Sequence, residues 1–256
     1  MGSIDVTTND GVATVTINQP TKKNAATTPM FEAIGNAFSE LSLDTSVRAI
    51  ILTGEGTDFC AGADLGAGDR ENEPGLNRMR RIHRTPAAIV DTPQPVIARI
   101  DGVAVGAGLS MALGCDLLIA SERSRFSAIF AKRGLTVDCG MSWLLPRAVG
   151  FQRAKEMALL AEILDASTAL SIGLVNRVVP HEQLDAEVDG IAATLAAGPP
   201  LALSMTKRLI NNSYNSSLSA SLEAENAAQC VNFASSDTVE AMLAFAEKRQ
   251  PEFKGR

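Results

Sequence analysis

Apolar and polar residues alternate along Ile4 to Thr8 and again along Val12 to Ile17, on either side of Asn9-Asp10-Gly11. Period-two alternation sends every second side chain to one face, and Asp-Gly supplies the positive φ that a tight hairpin turn needs. A β-hairpin is predicted, ended by Asn18-Gln19-Pro20. Beyond Lys22-Lys23-Asn24-Ala25 the period changes. Phe31, Ile34, Phe38 and Leu41 recur at helical spacing within Met30 to Leu41, so a helix is predicted there, capped at Thr28 with Pro29 at its first position. Val47 to Thr53 (VRAIILT) is β-branched without alternation, which suits a strand covered on both faces.

Gly54 to Leu65 (GEGTDFCAGADL) reads as a loop, and residues 66–74, polar and Gly-rich, as a mobile flap able to cover a ligand. Leu76 to Val90 is predicted to be one helix ending before Pro93. Val96 to Ile100 is a strand that stops at Asp101-Gly102. The small residues Gly106-Ala107-Gly108 lead into a buried helix from Leu109 to Leu113, and a strand follows at Leu117 to Ala120. Phe126 to Arg133 runs into Gly134-Leu135-Thr136-Val137-Asp138-Cys139-Gly140, a loop with one carboxylate. Trp143 to Val149 and Gln152 to Leu160 are helical around Gly150, and Leu174 to Val179 is the last strand, closed by Pro180. Thereafter Leu184–Ala197, Leu201–Ile210, Leu218–Phe233 and Thr238–Lys248 are all helices with apolar stripes. Strands alternating with helices predict an α/β class with parallel pairing, followed by an all-helical tail that buries its stripes against another subunit. No internal repeat is visible.

Composition narrows this picture. The 256 residues are 46% hydrophobic and 20% charged, as in a soluble globular protein with a large core. A net charge of −6 leaves no basic excess for nucleic-acid phosphates. Arg78-Met79-Arg80-Arg81 is the densest basic run and reads as a solvated helix face, or one that meets an anionic ligand. No apolar run reaches the ~18 residues of a membrane span, and the N-terminus has no signal-peptide pattern. Cys60, Cys115, Cys139 and Cys230 lack metal-ligand spacing, which points to reduced thiols in a cytoplasmic protein with no metal site.

The candidate chemistry centres on residues 95–116, PVIARIDGVAVGAGLSMALGCD. Strand, small-residue turn and helix start in succession leave unpaired N–H groups at the positive end of a helix dipole. Small residues let an anion approach that backbone closely, although a tight turn packed in a core has the same signature. A dinucleotide fingerprint fails at Met111, where a third small residue is needed, and no Gly-Lys-Ser/Thr phosphate loop is present. Gly108-Leu109-Ser110-Met111-Ala112 brushes the nucleophile-elbow pattern, but Ala112 replaces its last glycine and the chain's only histidines are His83 and His181. An anion hole without a nucleophile fits better.

With these segments in view the chain resembles the crotonase family, the enoyl-CoA hydratase/isomerase superfamily. Lys23-Asn24-Ala25, AIILTGEGTDFCAGADL, PVIARIDGVAVGAGLSMALGCD, GLTVDCGMSWLLPRAVG and FAEKRQPEFKGR carry the likeness, in family order and spacing across the whole length. The resemblance implies a spiral of ββα units in residues 1–195 holding the CoA-thioester site. It also implies a C-terminal helical oligomerisation region in residues 196–256, giving a homotrimer or a dimer of trimers. The implied substrate is an acyl-CoA thioester, with coenzyme A arriving as part of it and no separate cofactor. The N–H groups of Ala63 and Ala107 would polarise the thioester carbonyl and hold the enolate oxygen. Lys23, Ala25, Ala61, Asp64, Leu65 and Gly106 fall at substrate- or CoA-contacting positions, Lys23 near the CoA phosphates. Ser110, Phe130 and Trp143 fall around the acyl site, and Phe245 and Lys248 match positions that reach a neighbouring subunit's CoA.

The departures decide the chemistry expected. Family hydratases activate water and protonate carbon with two glutamates, and Ser110 and Phe130 stand in those places. Neither can shuttle a proton as a carboxylate does. Asp138 falls where aspartate-using isomerases of the family place their acid/base, and an isomerase needs only one. Without the resemblance, Asp138 reads first as a turn residue before Gly140. The favoured reading is an enoyl-CoA isomerase-type catalyst. Three alternatives stay open: an enoyl-CoA hydratase, a non-catalytic acyl-CoA-binding subunit, and an aromatic acyl-CoA dehalogenase with His83 as base and Asp138 as nucleophile. His83 among Arg80, Arg81 and Arg84 also reads as a plain surface histidine.

Overall fold

A computed structural model describes residues 2–66 and 74–256. The flap expected at residues 66–74 falls almost wholly outside the described residues. The alternation at the N-terminus forms β1 (Ser3–Asn9) and β2 (Val12–Asn18), antiparallel around Asp10 and Gly11, both at positive φ. One face of β2 buries Ala13, Val15 and Ile17 completely. α1 (Thr28–Leu41) crosses over to β3 (Ala49–Gly54), which runs parallel to β2. Its cap is Thr27, whose Oγ accepts from the Met30 N–H, one residue before the threonine expected, so Pro29 takes the second helical position.

The expected single helix over Leu76 to Val90 is two helices, α2 (Gly75–Ile82) and α3 (Arg84–Asp91), meeting at His83. Pro86 explains the break. In a continuous helix it could not bond the Ile82 carbonyl and its ring would collide there, whereas it is tolerated in a new first turn. β4 (Val96–Ile100), β6 (Leu117–Ser121) and β9 (Arg177–Val179) complete a six-stranded sheet in the order β1-β2-β3-β4-β6-β9, parallel after the first hairpin. β9 is shorter than expected, because Leu174 and Val175 are buried in the turn before it. A second sheet joins β5 (Val103–Val105), β7 (Arg125–Ser127) and β8 (Leu164–Asp165), strands too short to show a period in sequence. This α/β layering, parallel after the first hairpin, is the class that the alternation of strands and helices predicts.

Alternation along β3 sends Ile50 and Leu52 into the main core and Ile51 to the opposite face. There α8 (Leu184–Ala196) covers the sheet, packing Leu184, Val188 and Ala192 on Ile51, Ile97 and Ile119. α4 (Ala107–Gly114), α5 (Met141–Val149), α6 (Phe151–Leu160) and α7 (Ala166–Ser171) continue the main core. α9 (Pro200–Ser213), α10 (Leu218–Phe233) and α11 (Ser236–Glu247) follow, and leave large apolar side chains in solvent, Phe245 at 86% and Leu218 at 76% exposure. Lys207 ties α9 to the sheet through Asp116 (2.8 Å) and the Gln94 carbonyl (3.0 Å). Among the described residues no single helix is long and apolar enough to cross a membrane.

Candidate active site

The site forms where two turns approach each other. Lys23 and Asn24 both sit at positive φ, and Asn24 is completely buried. Its carboxamide accepts the Gln19 N–H (2.9 Å) and donates to the Glu55 (2.9 Å) and Asp58 (2.6 Å) carbonyls, so it fastens the turn to the loop after β3. That loop then runs parallel to residues 23–26. The Ala61 N–H donates to Lys23, the Ala26 N–H to Gly62 and the Asp64 N–H to Ala26. Ala63 and Ala26 form an isolated parallel bridge in which Ala26 makes both bonds. Ala63 therefore turns its own N–H away, toward β5 and α4.

Gly106 ends β5 at φ 55° and ψ −128°, a conformation open in practice only to glycine, and α4 begins at Ala107. The Ala107 N–H has no carbonyl one turn behind it. Among the described residues neither this N–H nor that of Ala63 has an acceptor. The turns touch closely. A Cβ on Gly62 would sit 3.5 Å from the Ala107 nitrogen, and one on Gly108 would lie 2.3 Å from the Cys60 carbonyl oxygen.

Ala63 and Ala107 line one cavity of about 270 Å³ together with Asp64, Leu65 and Asp138. Phe31, Met79, Ile82 and Leu135 give it apolar walls, and Arg78 reaches it from α2. The sequence marks Phe31 only as part of a helix stripe, and the arginine run as a solvated helix face or one that meets an anionic ligand; Arg78 on the cavity wall fits the second. The Asp64 carboxylate is paired with Lys22 at 2.6 Å.

Asp138 precedes Cys139 and Gly140, both at positive φ, where the chain drops into α5. Its Oδ1 is buried without a hydrogen-bond partner among the described residues. Burial pushes the carboxyl above the usual carboxylate range, against the opposing pull of the Cys139 thiol and the charge of the exposed His83. A carboxylate in that state is a stronger base than one in water. Burial likewise raises the Cys60 thiol to about 12 and the Cys115 and Cys139 thiols further, which keeps all three protonated.

The other anticipated positions distribute unevenly. Lys23 is exposed on its turn, and Ala25 and Ala61 are half-buried in the paired backbone beside it. Ser110 is fully buried behind the cavity, its Oγ 3.0 Å from the Asp138 carbonyl oxygen. The Phe130 ring, also buried, packs under the turn, 3.9 Å from where a Gly106 Cβ would be. Trp143 does not line this cavity, and the Arg147 guanidinium stacks on its ring at 3.7 Å. Phe245 and Lys248 lie at the end of α11, Phe245 on a separate groove between the C-terminal helices. Among the described residues no three His, Cys, Asp or Glu side chains converge to hold a metal ion.

The model of the enoyl-CoA hydratase/isomerase family matches residues 7–256. The chain belongs to that family. Similar proteins carry both parts of the family's name. The 1,2-epoxyphenylacetyl-CoA isomerase of Escherichia coli is 36% identical over 253 residues, covering 96% of each chain. A crystal structure of an enoyl-CoA hydratase from a Polaromonas species superposes with a TM-score of 0.93 at 31% identity, over 99% of this chain and 100% of the other. The enoyl-CoA hydratase of Bacillus anthracis gives 0.93 at 31% identity, over 100% and 99%. Enoyl-CoA hydratase/isomerase family enzymes act on acyl-CoA thioesters.

Proposed function

We propose that the chain is an isomerase-type member of the family, moving a double bond along an enoyl-CoA by proton transfer. Asp138 as carboxylate removes a proton from C2 of a 3-enoyl thioester, leaving an enolate whose oxygen accepts from the N–H groups of Ala63 and Ala107. The protonated Asp138 then delivers the same proton to C4, which gives the 2-enoyl product. No water or second acid is consumed. The observation that carries this reading is the buried, unpartnered Oδ1 of Asp138 in the same cavity as two acceptor-free backbone N–H groups.

Hydration is disfavoured because it needs a second proton-transfer group, and the places of the family glutamates hold Ser110 and Phe130, neither of them on the cavity wall. Coenzyme A enters as part of the substrate. The exposed apolar faces of α9 to α11 suit burial in a trimer or a dimer of trimers, which would also bring Phe245 and Lys248 to a neighbour's thioester. The test is spectrophotometric: 3-enoyl-CoA isomerisation and 2-enoyl-CoA hydration, wild type against Asp138→Asn. The expected result is isomerisation in the wild type, lowered about 10²–10⁴-fold in the variant. Isomerisation surviving in Asp138→Asn defeats the assignment. Wild-type hydration outpacing isomerisation favours the hydratase reading, halide release from an aromatic acyl-CoA the dehalogenase one, and binding without turnover the non-catalytic one.

A further inference from the structure

Ser110 stands where the family's hydratases carry a glutamate, yet it lies behind the cavity wall with no exposed surface. A buried hydroxyl must spend its one proton on a partner. Two carbonyl oxygens are in reach, that of Asp138 at 3.0 Å and that of Gly106, one turn back in its own helix, at 3.3 Å. The shorter contact joins α4 to the loop that carries Asp138. That loop needs the tie. It passes through two successive positive-φ residues, 51° at Cys139 and 82° at Gly140, and the buried Cys139 thiol holds the Asp138 carboxylate from the side chain while Ser110 holds its main chain.

The same helix begins at Ala107, which lines the cavity and whose N–H has no acceptor among the described residues. From these contacts we infer that Ser110 is a positioning residue: its Oγ–H, donated to the Asp138 carbonyl, fixes the Asp138 carboxylate relative to the Ala107 N–H. The inference rests on the reading of Asp138 as the acid/base. It assigns Ser110 no contact with substrate. Proton transfer between C2 and C4 is sensitive to such a tie, because a single carboxylate must reach two carbons from one seat.

The test measures two quantities on each variant: kcat for 3-enoyl-CoA isomerisation, and affinity for butyryl-CoA, a saturated thioester that cannot isomerise. Ser110→Ala is expected to lower kcat roughly ten- to a hundredfold, the scale of a displaced catalytic group. Butyryl-CoA affinity is expected to stay within about twofold, since binding in ground and transition states then separate. Ser110→Cys keeps a weaker donor on a somewhat larger atom, so it falls between Ala and wild type, and it carries the test alone if Ser110→Ala does not fold. Wild-type kcat in both variants overturns the inference. So does a parallel loss of kcat and butyryl-CoA affinity, which marks Ser110 as ordinary packing. Full activity in Asp138→Asn is a different outcome, because it removes the base on which Ser110 is said to act.

Discussion

A half-buried carboxylate beside apolar side chains, with one oxygen buried and unpartnered, costs folding energy. Burial raises the Asp138 pKa above its unfolded value, so the folded state holds that proton more tightly than the unfolded chain does. Stability from this group is therefore greatest in acid and is lost as pH rises from the unfolded pKa through the raised folded one. Asp138→Asn removes that loss. Its thermal midpoint at neutral pH is expected to equal or exceed that of the wild type while isomerisation collapses, an inversion typical of catalytic groups. A midpoint several degrees lower would instead make Asp138 a structural turn residue. The base works only when ionised, so kcat/KM is expected to rise with pH along a limb displaced above the ordinary carboxylate range. In the Asn variant that limb is absent. A pH–rate profile on both proteins checks it.

At the scale of elements, the site depends on how closely two backbones approach. Gly108 permits it: a Cβ there would meet the Cys60 carbonyl oxygen at 2.3 Å, backbone against backbone, with no flexible side chain to give way. Gly108→Ala is expected to cost about 1–3 kcal/mol as overpacking, and to pull the Ala63 and Ala107 N–H groups apart. Urea unfolding reads the first effect and isomerisation the second. Gly75→Ala, which meets nothing within 4 Å, should change neither. Much of this level was legible in the chain. Period-two and period-3.6 patterns located β1, β2, α1 and the C-terminal helices, and the small-residue runs marked both turns. β5, β7 and β8 escaped notice because two or three residues carry no period. The break at His83 went unseen although Pro86, the residue that forces it, was in plain view. The partnership of Ser110 with Asp138 could not be read either, since its acceptor is a main-chain carbonyl 28 residues away that only the fold brings near.

Across the whole molecule, the sheet and its flanking helices form a complete core, whereas α9 to α11 do not cover their own apolar side chains. Phe245, Leu218, Met242 and Phe233 are all more than 60% exposed. Exposed apolar surface of that kind marks an interface. Sedimentation is expected to give three or six chains, and Phe245→Asp to shift the mass toward the single chain. A monomeric wild type would contradict the proposed assembly. The family resemblance implies an assembly role for this tail, and the exposed apolar side chains are the observation that makes it worth testing.

The expectations for catalysis lean on two amides from separate turns meeting one thioester oxygen, opposite one carboxylate. A crystal structure with a bound 3-enoyl-CoA, solved on Asp138→Asn so that turnover is blocked, tests this most directly. The thioester oxygen is predicted to lie about 2.7–3.1 Å from both the Ala63 and Ala107 nitrogens, with residue 138 against the C2–C4 edge of the acyl chain. A thioester oxygen bound elsewhere, or an acyl chain turned away from residue 138, would contradict the account.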